Sequence, residues 1–521
     1  MRDFMYSSGK VAGLLGVMVA TALCALPAMA MDTFFSGPRA LGMAGANVAS
    51  VNDTNAQYYN PAAFGFMGHQ TEDGGRTDSD NNNLGRKDWG IDVNVGAGIR
   101  LHQDFGDYID TLANIDYQRL SNEGIQSESD LADLVNLLNG LKALEDPGNA
   151  ITSSANAALA VRAGHFAIGG RGSFEAAGRV LNVDDQNLGI TNSSLGSGSN
   201  LNDQITNAVT TLPTGYQPAL LSAADQGSLL AAGLTQDAIN RIDFVANQQG
   251  LTVAEVGALV PNLETLVDQT LNGGGGDLQN NTTTVALNGF AVAEVPLSYG
   301  YAINDHWAVG ANLKVMKGRV YGTEVLVFDD GSSDLLSNVR DNYQDSTTFG
   351  VDLGVMGRYK MVNFGLIGRN LNSPEFDGFT STTQLSNGTT QTVNVAAVKI
   401  KPQAAIGVAF IPFETLTLEV DYDLTKNETV LKNPVTQEHY STQNISAGLE
   451  WDAFRFLALR VGIYKNLAES DIDVVYTAGL GLNFWLMRLD VGGAYSGETA
   501  RYDGEDYPKE SRLAAQLSFD F

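Results

Sequence analysis

Cysteine is almost absent from this 521-residue sequence. The single cysteine, Cys24, lies within an N-terminal stretch with two basic residues, an apolar run over residues 11–26, and small residues at Ala28-Met29-Ala30. This is the pattern of a secretory signal peptide. An N-terminal membrane anchor would need a longer apolar run and no small-residue site. We therefore predict residues 1–30 to be a signal peptide. The mature chain then lacks disulfides, thiolate metal sites and Cys-x-x-Cys redox chemistry.

Basic side chains are also scarce, with 31 Lys and Arg against 59 Asp and Glu. Residues 1–30 contain Arg2, Lys10 and Asp3, so 29 basic and 58 acidic side chains remain after cleavage, a formal charge of −29. Nucleic-acid binding needs clustered cations to neutralise phosphates, so this balance argues against a nucleic-acid partner.

Beyond the leader the sequence has no apolar run of helical-span length, and its mean hydropathy is −0.08. Such values usually indicate a soluble protein. They are equally compatible with a transmembrane β-barrel, because each strand exposes only every second side chain to lipid and its hydropathy is diluted.

The C-terminal segment shows this alternation most clearly. Apolar residues occupy every second position from Leu513 to Phe521, with polar or small residues between them. The same period of two recurs around Met487–Ser496, Tyr476–Phe484, Leu416–Leu424 and Ile91–Leu101. A chain that ends on an aromatic residue after such a strand resembles substrates of the outer-membrane insertion machinery. We therefore expect that machinery to recognise Phe521.

A soluble β-sandwich also alternates, and it is the competing interpretation. Charged residues on the polar faces suit a wet lumen better than the back of a sheet; they are Arg460, Glu450, Lys314 and Asp352. Aromatic residues near strand ends suit an interfacial girdle; they are Trp307, Trp451, Trp485, Tyr359 and Phe413.

The links between predicted strands favour the barrel. We predict about 14 antiparallel strands, near residues 90–101, 156–163, 166–176, 285–302, 306–321, 346–359, 362–371, 398–411, 414–426, 441–451, 454–465, 473–484, 486–497 and 510–521. Links after odd-numbered strands are long, and links after even-numbered strands are tight. Membrane barrels have short periplasmic turns and long outer loops, so both ends of the mature chain are expected in the periplasm.

This prediction divides the mature chain into two regions. Residues 89–521 form the all-β barrel, with long outer loops at 102–155 and 177–284, and residues 31–88 precede it. A lumen of fourteen strands is wider than side chains alone fill. We expect the early part of 31–88 to lie inside the barrel as a plug, with polar residues 70–88 as its connector.

Two motifs carry a resemblance to known families. The first motif resembles the mature N-terminus of FadL-like outer-membrane proteins. It consists of Ser36-Gly37-Pro38-Arg39-Ala40-Leu41-Gly42-Met43-Ala44-Gly45-Ala46, followed by Asn52-Asp53 and Tyr58-Tyr59-Asn60-Pro61-Ala62. Leu366 to Phe376, in sequence LIGRNLNSPEF, is similar to the barrel group catalogued as conjugal transfer TraF-like. The resemblance implies a fourteen-stranded barrel that passes hydrophobic molecules and is plugged by an N-terminal hatch. The long second outer loop departs from FadL proteins, so no ligand-binding residue is carried over.

The plug motif has its own physical interpretation. Gly42 and Gly45 permit close backbone approach or a positive φ, and Asn60-Pro61-Ala62 predicts a turn because the residue before proline is extended. The segment is either a gating hatch or a fixed tuck that stabilises the barrel, and the sequence leaves both open.

Helical patterns occur in both long outer loops. After Ser127, leucines and Val135 recur at helical spacing until Pro147-Gly148, and Thr252 to Glu255 is a capping box whose helix is expected to be interrupted at Pro261. A further apolar stripe runs from Leu263 to Leu271 and ends at Gly273–Gly276. The apolar faces either capture a ligand as a cap or bury one another.

Candidate catalytic and metal sites are sparse. The five histidines are scattered at positions 69, 102, 165, 306 and 439, and no Gly-x-Ser-x-Gly, P-loop or His-x-x-x-His motif occurs. Acidic clusters at 329–334 and 503–506 lack EF-hand spacing, and they represent either cation sites or solvated loop charge. We expect no enzyme, catalytic residue, metal or cofactor.

Together these patterns lead to one main hypothesis and one alternative. The main hypothesis is an outer-membrane channel for uptake of small hydrophobic molecules. The alternative is a structural or conjugation-associated protein whose large surface loops bind a partner. The expected surroundings are outer-membrane lipid and lipopolysaccharide, together with a hydrophobic small molecule as cargo.

Overall fold

The fold is described from a computed structural model of the chain. The described residues are 35–67, 89–116, 119–120, 123–184, 187, 200–271, 281–326, 342–384, 390–433, 436, 438–453, 456–484, 486–502 and 505–520. The predicted signal peptide 1–30, the connector 70–88, the glycines at 273–276, Trp485, Phe521 and the acidic clusters at 329–334 and 503 lie outside them.

Strands dominate the described residues. In chain order they are β1 (Trp89–His102), β2 (Ala150–Ala163), β3 (Phe166–Asn182), β4 (Thr284–Ala302), β5 (Trp307–Leu326), β6 (Tyr343–Tyr359), β7 (Val362–Arg369), β8 (Glu375–Phe376), β9 (Phe379–Gln384), β10 (Thr390–Val395), β11 (Val398–Lys399), β12 (Gln403–Phe413), β13 (Leu416–Asp423), β14 (Asn427–Lys432), β15 (His439–Thr442), β16 (Asn444–Ala453), β17 (Leu457–Asn466), β18 (Val474–Phe484), β19 (Met487–Ser496), β20 (Thr499–Tyr502), β21 (Glu505–Pro508) and β22 (Glu510–Asp520).

Fourteen of these strands close into one antiparallel barrel, in the order β1-β2-β3-β4-β5-β6-β7-β12-β13-β16-β17-β18-β19-β22. The barrel closes where β1 pairs with β22, with Val93 opposite Leu517. The predicted all-β barrel of about 14 strands is therefore confirmed. The predicted eighth strand, at 398–411, began too early, because β12 starts at Gln403 and residues 398–399 pair with β8 instead.

The barrel exposes apolar side chains and buries polar ones, the reverse of a soluble sheet. The cause is the alternation of apolar and polar residues along each strand. On β1 the side chains of Ile91, Val93 and Val95 are exposed, whereas Asp92 and Asn94 are buried in the lumen. An apolar outer surface and a polar interior characterise transmembrane barrels. The charged residues predicted for the lumen include Lys314, Asp352 and Arg460, and all three are buried there.

The two ends of the barrel differ in the length of their links, as predicted from the alternation of long and tight links. Tight turns join β2 to β3, β4 to β5 and β6 to β7, while the odd-numbered links, such as 103–149 and 183–283, are long. Trp307, Tyr359, Trp451 and Phe413 lie exposed at the tight-turn end, 38% to 67% accessible, as a girdle would require. Trp307 Nε1 donates to the Tyr359 hydroxyl over 2.9 Å.

Helices occupy the N-terminal segment and the long links. They are α1 (Pro38–Gly42), α2 (Ala56–Tyr59), α3 (Ala63–Phe66), α4 (Phe105–Ala113), α5 (Glu128–Leu144), α6 (Leu201–Ala208), α7 (Ala223–Ala232), α8 (Gln236–Gln248) and α9 (Val253–Leu271). Among the described residues, none of the helices has the length and apolar character to cross a membrane.

Helices α5 to α9 form a bundle over the long-loop end, which we call the cap. Its apolar faces pack on one another, with Leu134 of α5, Ile239 of α8 and Val267 of α9 in one buried cluster. The predicted capping box at Thr252 is present, and Ser127, after which the helical stripe was predicted, forms a second one with Asp130. The predicted break at Pro261 was wrong. The α9 helix runs through it, because packing on the cluster holds the proline-containing turn in place.

Asp243 of α8 organises the link between the α6 and α7 helices. Its carboxylate is fully buried and accepts hydrogen bonds from the Tyr216 hydroxyl and the backbone amides of Ala219, Leu220 and Leu221, at 2.7–2.8 Å. Burial and this hydrogen bond raise the pKa of Tyr216. Hydrogen bonds to a charged acceptor contribute about 1.5–3 kcal/mol each, so Asp243 holds this link firmly against α8.

Candidate functional site

The N-terminal segment lies inside the barrel. Residues 35–67, which we call the hatch, contain α1, α2 and α3, and nearly all of their side chains are buried. Short helices of four or five residues are too brief to be stable alone, so contacts with the barrel wall decide their positions.

Inward-facing glycines of the wall make room for the hatch backbone. Gly300, Gly310 and Gly354 stand opposite one another on β4, β5 and β6. A methyl group built at Gly310 would overlap the Pro61 carbonyl, and one at Gly354 would overlap the Asn60 side chain. The wall carries similar positions elsewhere, at Gly365, Gly448, Gly462, Gly479 and Gly492. The hatch therefore fits because side chains are missing from the wall along its track.

Charge holds one half of the hatch. Arg39 of α1 forms an ion pair with Glu450 of β16 at 3.0 Å, and Arg460 donates to the same carboxylate at 2.6 Å. Asp421 of β13 accepts the backbone amides of Asn47 and Val48 at 2.7 and 2.9 Å. Hydrogen bonds to charged groups contribute more than neutral ones, so residues 39–49 are firmly anchored to β13 and, through Glu450, to β16.

Apolar packing holds the other half. Tyr58, Tyr59, Phe64 and Phe66 of the hatch share a buried cluster with wall residues of β3 to β6. The wall and hairpin members include Phe174, Phe290, Val292, Met316 and Phe376. The start of the hatch is thus held mainly by charged groups. Its end is held mainly by aromatic packing, on a wall that also carries the buried ion pairs Arg171–Glu294 and Lys314–Asp352.

The predicted plug-motif residues lie along this interface. Gly42 packs against Gly479 of β18, and its carbonyl accepts a hydrogen bond from Thr477 at 3.0 Å. Gly45 has a φ of 91°, which favours glycine. Asn60 Nδ2 donates to the carbonyls of Val48 and Val355, which ties the two halves of the hatch to β6. Pro61 and Ala62 sit against Gly310.

The strand ladder of the wall is interrupted beside the apolar cluster, without a shift of register. Pairing between β3 and β4 passes from Ile168–Leu297 to Arg171–Glu294, and the two intervening positions of these described strands are unpaired. Pro296 lies in that gap and has no backbone N–H to donate. Its carbonyl accepts a hydrogen bond from hatch residue Gln57 at 3.2 Å. A Cβ at Gly169 would lie 2.6 Å from the Gln57 side-chain oxygen, so this side chain covers the gap from within.

A second obstruction crosses the long-loop mouth. The β14–β15 hairpin follows β13, ninth in the barrel order, and reaches β3, which is third among the fourteen and lies on the opposite side. Arg179 donates to the Lys432 carbonyl at 3.1 Å, and the Val430 amide donates to Glu175 at 3.3 Å. The hatch therefore lies within the lumen, and this hairpin lies across the mouth above it.

The family of the chain follows from its sequence. Residues 57–423 match the family described as "F plasmid transfer operon, TraF, protein". The match covers more than two thirds of the 521 residues. The chain belongs to this TraF family. The segment 366–376, on which the TraF-like resemblance rested, lies within the matched region. No curated protein sequence matches this TraF-family chain.

Solved structures resemble this TraF-family chain weakly. The toluene transporter TodX of P. putida is 10% identical, with 92% of this chain and 97% of TodX covered and a TM-score of 0.43. The Ralstonia pickettii toluene transporter TbuX is 10% identical, with 93% of this chain and 98% of TbuX covered and a TM-score of 0.44. A Pseudomonas aeruginosa FadL homologue is 9% identical, with 95% of this chain and 100% of the homologue covered and a TM-score of 0.41. Such values carry no argument about function, and the barrel rests on its own strand pairing.

Several residues of this TraF-family site escaped the sequence analysis. Gln57 and Pro296 are 239 residues apart, and a proline within an alternating strand was the one local sign of an interrupted ladder. The wall glycines carry no periodic pattern that separates them from other glycines. His165, predicted at a tight turn, is there, and its Nδ1 lies 2.9 Å from the Phe64 carbonyl of the hatch.

Proposed function

We propose that the protein is an outer-membrane channel for uptake of small hydrophobic molecules. The observation that carries this proposal is the gap between β3 and β4, next to the apolar cluster and covered by Gln57 of the hatch. Water-soluble cargo would gain nothing from a weakened seam in the wall that faces lipid. A hydrophobic molecule would benefit, because it gains free energy on entering the membrane interior.

The proposed route follows the asymmetry of the lumen. The cargo enters past the β14–β15 hairpin and contacts the apolar side formed by Phe174, Phe290 and Met316. The charged anchor at Arg39 and Glu450 keeps the start of the hatch in place. Among the described residues, the end of the hatch has no ion pair like that of Arg39; it is held by apolar packing and by single hydrogen bonds such as those of Gln57 and Asn60, and it shifts to uncover the gap. In this arrangement the long loops are extracellular and both chain ends are periplasmic.

The decisive experiment closes the gap. Pro296→Val restores a backbone donor, and Gly170→Val adds a β-branched side chain on the outward face, where Gly170 is exposed. The double variant should take up radiolabelled oleate or toluene into proteoliposomes no faster than protein-free vesicles. Ala293→Val is the matched control, because Ala293 is exposed on β4 and pairs normally with Gly172, and it should transport like the original protein.

Correct folding of each variant is checked by the heat-dependent gel mobility of its barrel. If the double variant folds and still transports both probes at the original rate, lateral passage is wrong. If the original protein itself transports neither probe, the hydrophobic channel is wrong as a whole.

A second candidate function is favoured by the cap. Its helices bury their apolar faces on one another and leave a mixed surface exposed, with Gln236 and Asp237 as well as Leu230 and Val253. The family description also names a transfer operon. Under this hypothesis the cap binds a partner during conjugation and the barrel is its anchor.

A further inference from the structure

A cavity of about 390 Å³ lies at the long-loop mouth of the barrel, apart from the hatch and from the gap between β3 and β4. Four separate segments form it: the end of β1, the loop before β2, the β14–β15 hairpin and the link between β17 and β18. Its volume falls within the range of small-molecule sites, about 300–1,000 Å³.

A buried hydrogen-bond network forms one wall of this cavity. Asp471 accepts the Tyr440 hydroxyl at 2.7 Å and lies 2.9 Å from Nδ1 of His102. Nε2 of His102 is 3.0 Å from the Thr152 hydroxyl, and the imidazole is only 1% exposed. Burial alone would raise the pKa of Asp471, but the contacts with His102 and Tyr440 lower it. This wall is pre-organised and carries a fixed carboxylate.

The cavity carries further hydrogen-bond acceptors, together with side chains that can donate or accept, namely Gln103, Asn433, Thr436 and Ser470. Nδ1 of His439 lies 2.7 Å from the Thr429 carbonyl and so carries the proton in the neutral ring, which leaves Nε2 as an acceptor. Glu469 accepts the Ser441 amide through one oxygen at 3.2 Å, and Glu438 is exposed on the hairpin. Burial raises the pKa of Glu469.

The charge of the lining has one sign. Glu438, Glu469 and Asp471 line the cavity, and neither lysine nor arginine is among its described lining residues. The described residues contain no group of three His, Cys, Asp or Glu side chains arranged to hold a metal ion. A ligand that complements this wall must therefore be positively charged, rich in donors and larger than a bare ion.

We propose that this cavity binds a small organic polyamine, with its ammonium groups on Glu438, Glu469 and Asp471. The ligand spans the hairpin and the opposite rim of the barrel, so its occupancy holds the hairpin across the mouth. The proposal does not depend on hydrophobic passage through the lumen, because none of its residues belongs to the hatch or the wall gap.

Isothermal titration of the purified full chain in detergent tests the proposal, with spermidine as the probe. The expected result is one site per chain that is weakened at least about tenfold by Glu469→Gln and also by Glu438→Gln, the loss expected for a charge-assisted hydrogen bond. Glu505→Gln is the matched control, an exposed carboxylate on the β20–β21 hairpin outside the cavity, and it should bind like the original protein. Uncharged 1,8-octanediol should not bind.

General attraction to an acidic protein is the competing explanation, and it gives a different pattern. Several weak sites, equal losses in all three variants, or full competition by an equal charge concentration of Mg²⁺ would overturn the proposal. Absence of any spermidine binding to the folded protein would overturn it as well.

A labelling experiment locates the ligand independently of affinity. The mature chain is predicted to lack cysteine, so Thr436→Cys introduces a unique thiol into the lining of the cavity. Spermidine should slow its reaction with a polar maleimide and should leave Thr390→Cys, an exposed position on the β9–β10 hairpin, unaffected. Equal labelling of Thr436→Cys with and without saturating spermidine would place the ligand elsewhere.

Discussion

At the scale of single residues, this protein is shaped by side chains that are missing as much as by those present. The hatch meets the wall at glycines such as Gly310, Gly365 and Gly448, where hatch backbone occupies the space of a Cβ. One charged pair, Arg39 with Glu450, anchors the start of the hatch, and one amide, Gln57, covers the interruption of the wall. Small changes at these positions should alter the hatch without altering the barrel.

Gly310→Val provides the clearest test of this conclusion. The added side chain would overlap Pro61, so we expect the hatch to loosen and the seated state to lose about 1–3 kcal/mol, as in other overpacked sites. Faster proteolysis between residues 35 and 67 and a larger ionic conductance would report the change. Gly170→Ala is the control, because a Cβ there meets no described atom within 4 Å. Equal proteolysis of both variants would contradict the tight fit.

At the scale of elements, local rules explain where the cap helices begin. Ser127, Ser222 and Thr252 each cap a helix with a carboxylate three residues later. Such boxes satisfy amides that the first helical turn leaves unpaired. The same local logic failed at Pro261, where burial of Val260 and Leu263 outweighs the lost backbone hydrogen bond.

The start of α5 should be sensitive to acid. Burial by itself would raise the pKa of Asp130, but the ion pair with Arg119 and hydrogen bonds from Gln126 and Ser127 lower it. A carboxylate with a depressed pKa stabilises the folded state above its unfolded pKa, about 3.9, and this stability is lost as the pH falls through the folded value. Hydrogen exchange of residues 128–144 should therefore accelerate in acid.

The variant Asp130→Asn checks the cause of that acid response. Exchange in residues 128–144 should be faster than in the original protein at neutral pH, and its further increase in acid should be much smaller. The amides of α9, whose capping box is at Thr252 and Glu255, provide an internal reference. An unchanged pH dependence in the variant would assign the response to another group.

At the scale of the whole molecule, the barrel and the cap have separate buried cores. The barrel buries its polar faces around the hatch, whereas the cap has a separate apolar core formed by two loops that are distant in sequence. Because each loop supplies one side of the cap core, neither side can be removed alone without exposing the other. The barrel strands do not share this dependence.

Loop deletions should show this division. Removing residues 116–140 together with 200–271, each replaced by a Gly/Ser linker, takes away every fully buried member of the cap core. We expect the barrel to fold and to transport as before. Removing 200–271 alone exposes Leu131, Leu134 and Leu138, and should cause aggregation.

The same pair of deletions separates the two functional hypotheses. Unchanged uptake in the double deletion together with loss of a conjugation partner would assign partner binding to the cap. Failure of the double deletion to form a heat-modifiable barrel would contradict the independence of the two cores.

The sequence by itself determined the fourteen strands of the barrel and the alternation of long and short links between them. Most of the eight described strands of the smaller sheets lie in links for which it predicted no strand. A period of two over Ile91–Leu101 or Leu513–Phe519 is a local property of the sequence. Any strand with one face in the lumen needs this alternation, and it does not depend on which residues face it from the other side of the barrel. The helix cap at Thr252 was predicted because it too is a local pattern. The plug was anticipated through its motif, but its position was not.

Only the tertiary structure decided which side chains meet inside the barrel. Arg39 and Glu450 are 411 residues apart, Gln57 and Pro296 are 239 apart, and His102 lies 369 residues from Asp471. Contacts of this kind depend on the order and register in which fourteen strands close, which no local pattern encodes. The hatch interface, the wall gap and the cavity at the mouth all arise from that closure, because each is formed by residues that only a closed barrel brings together.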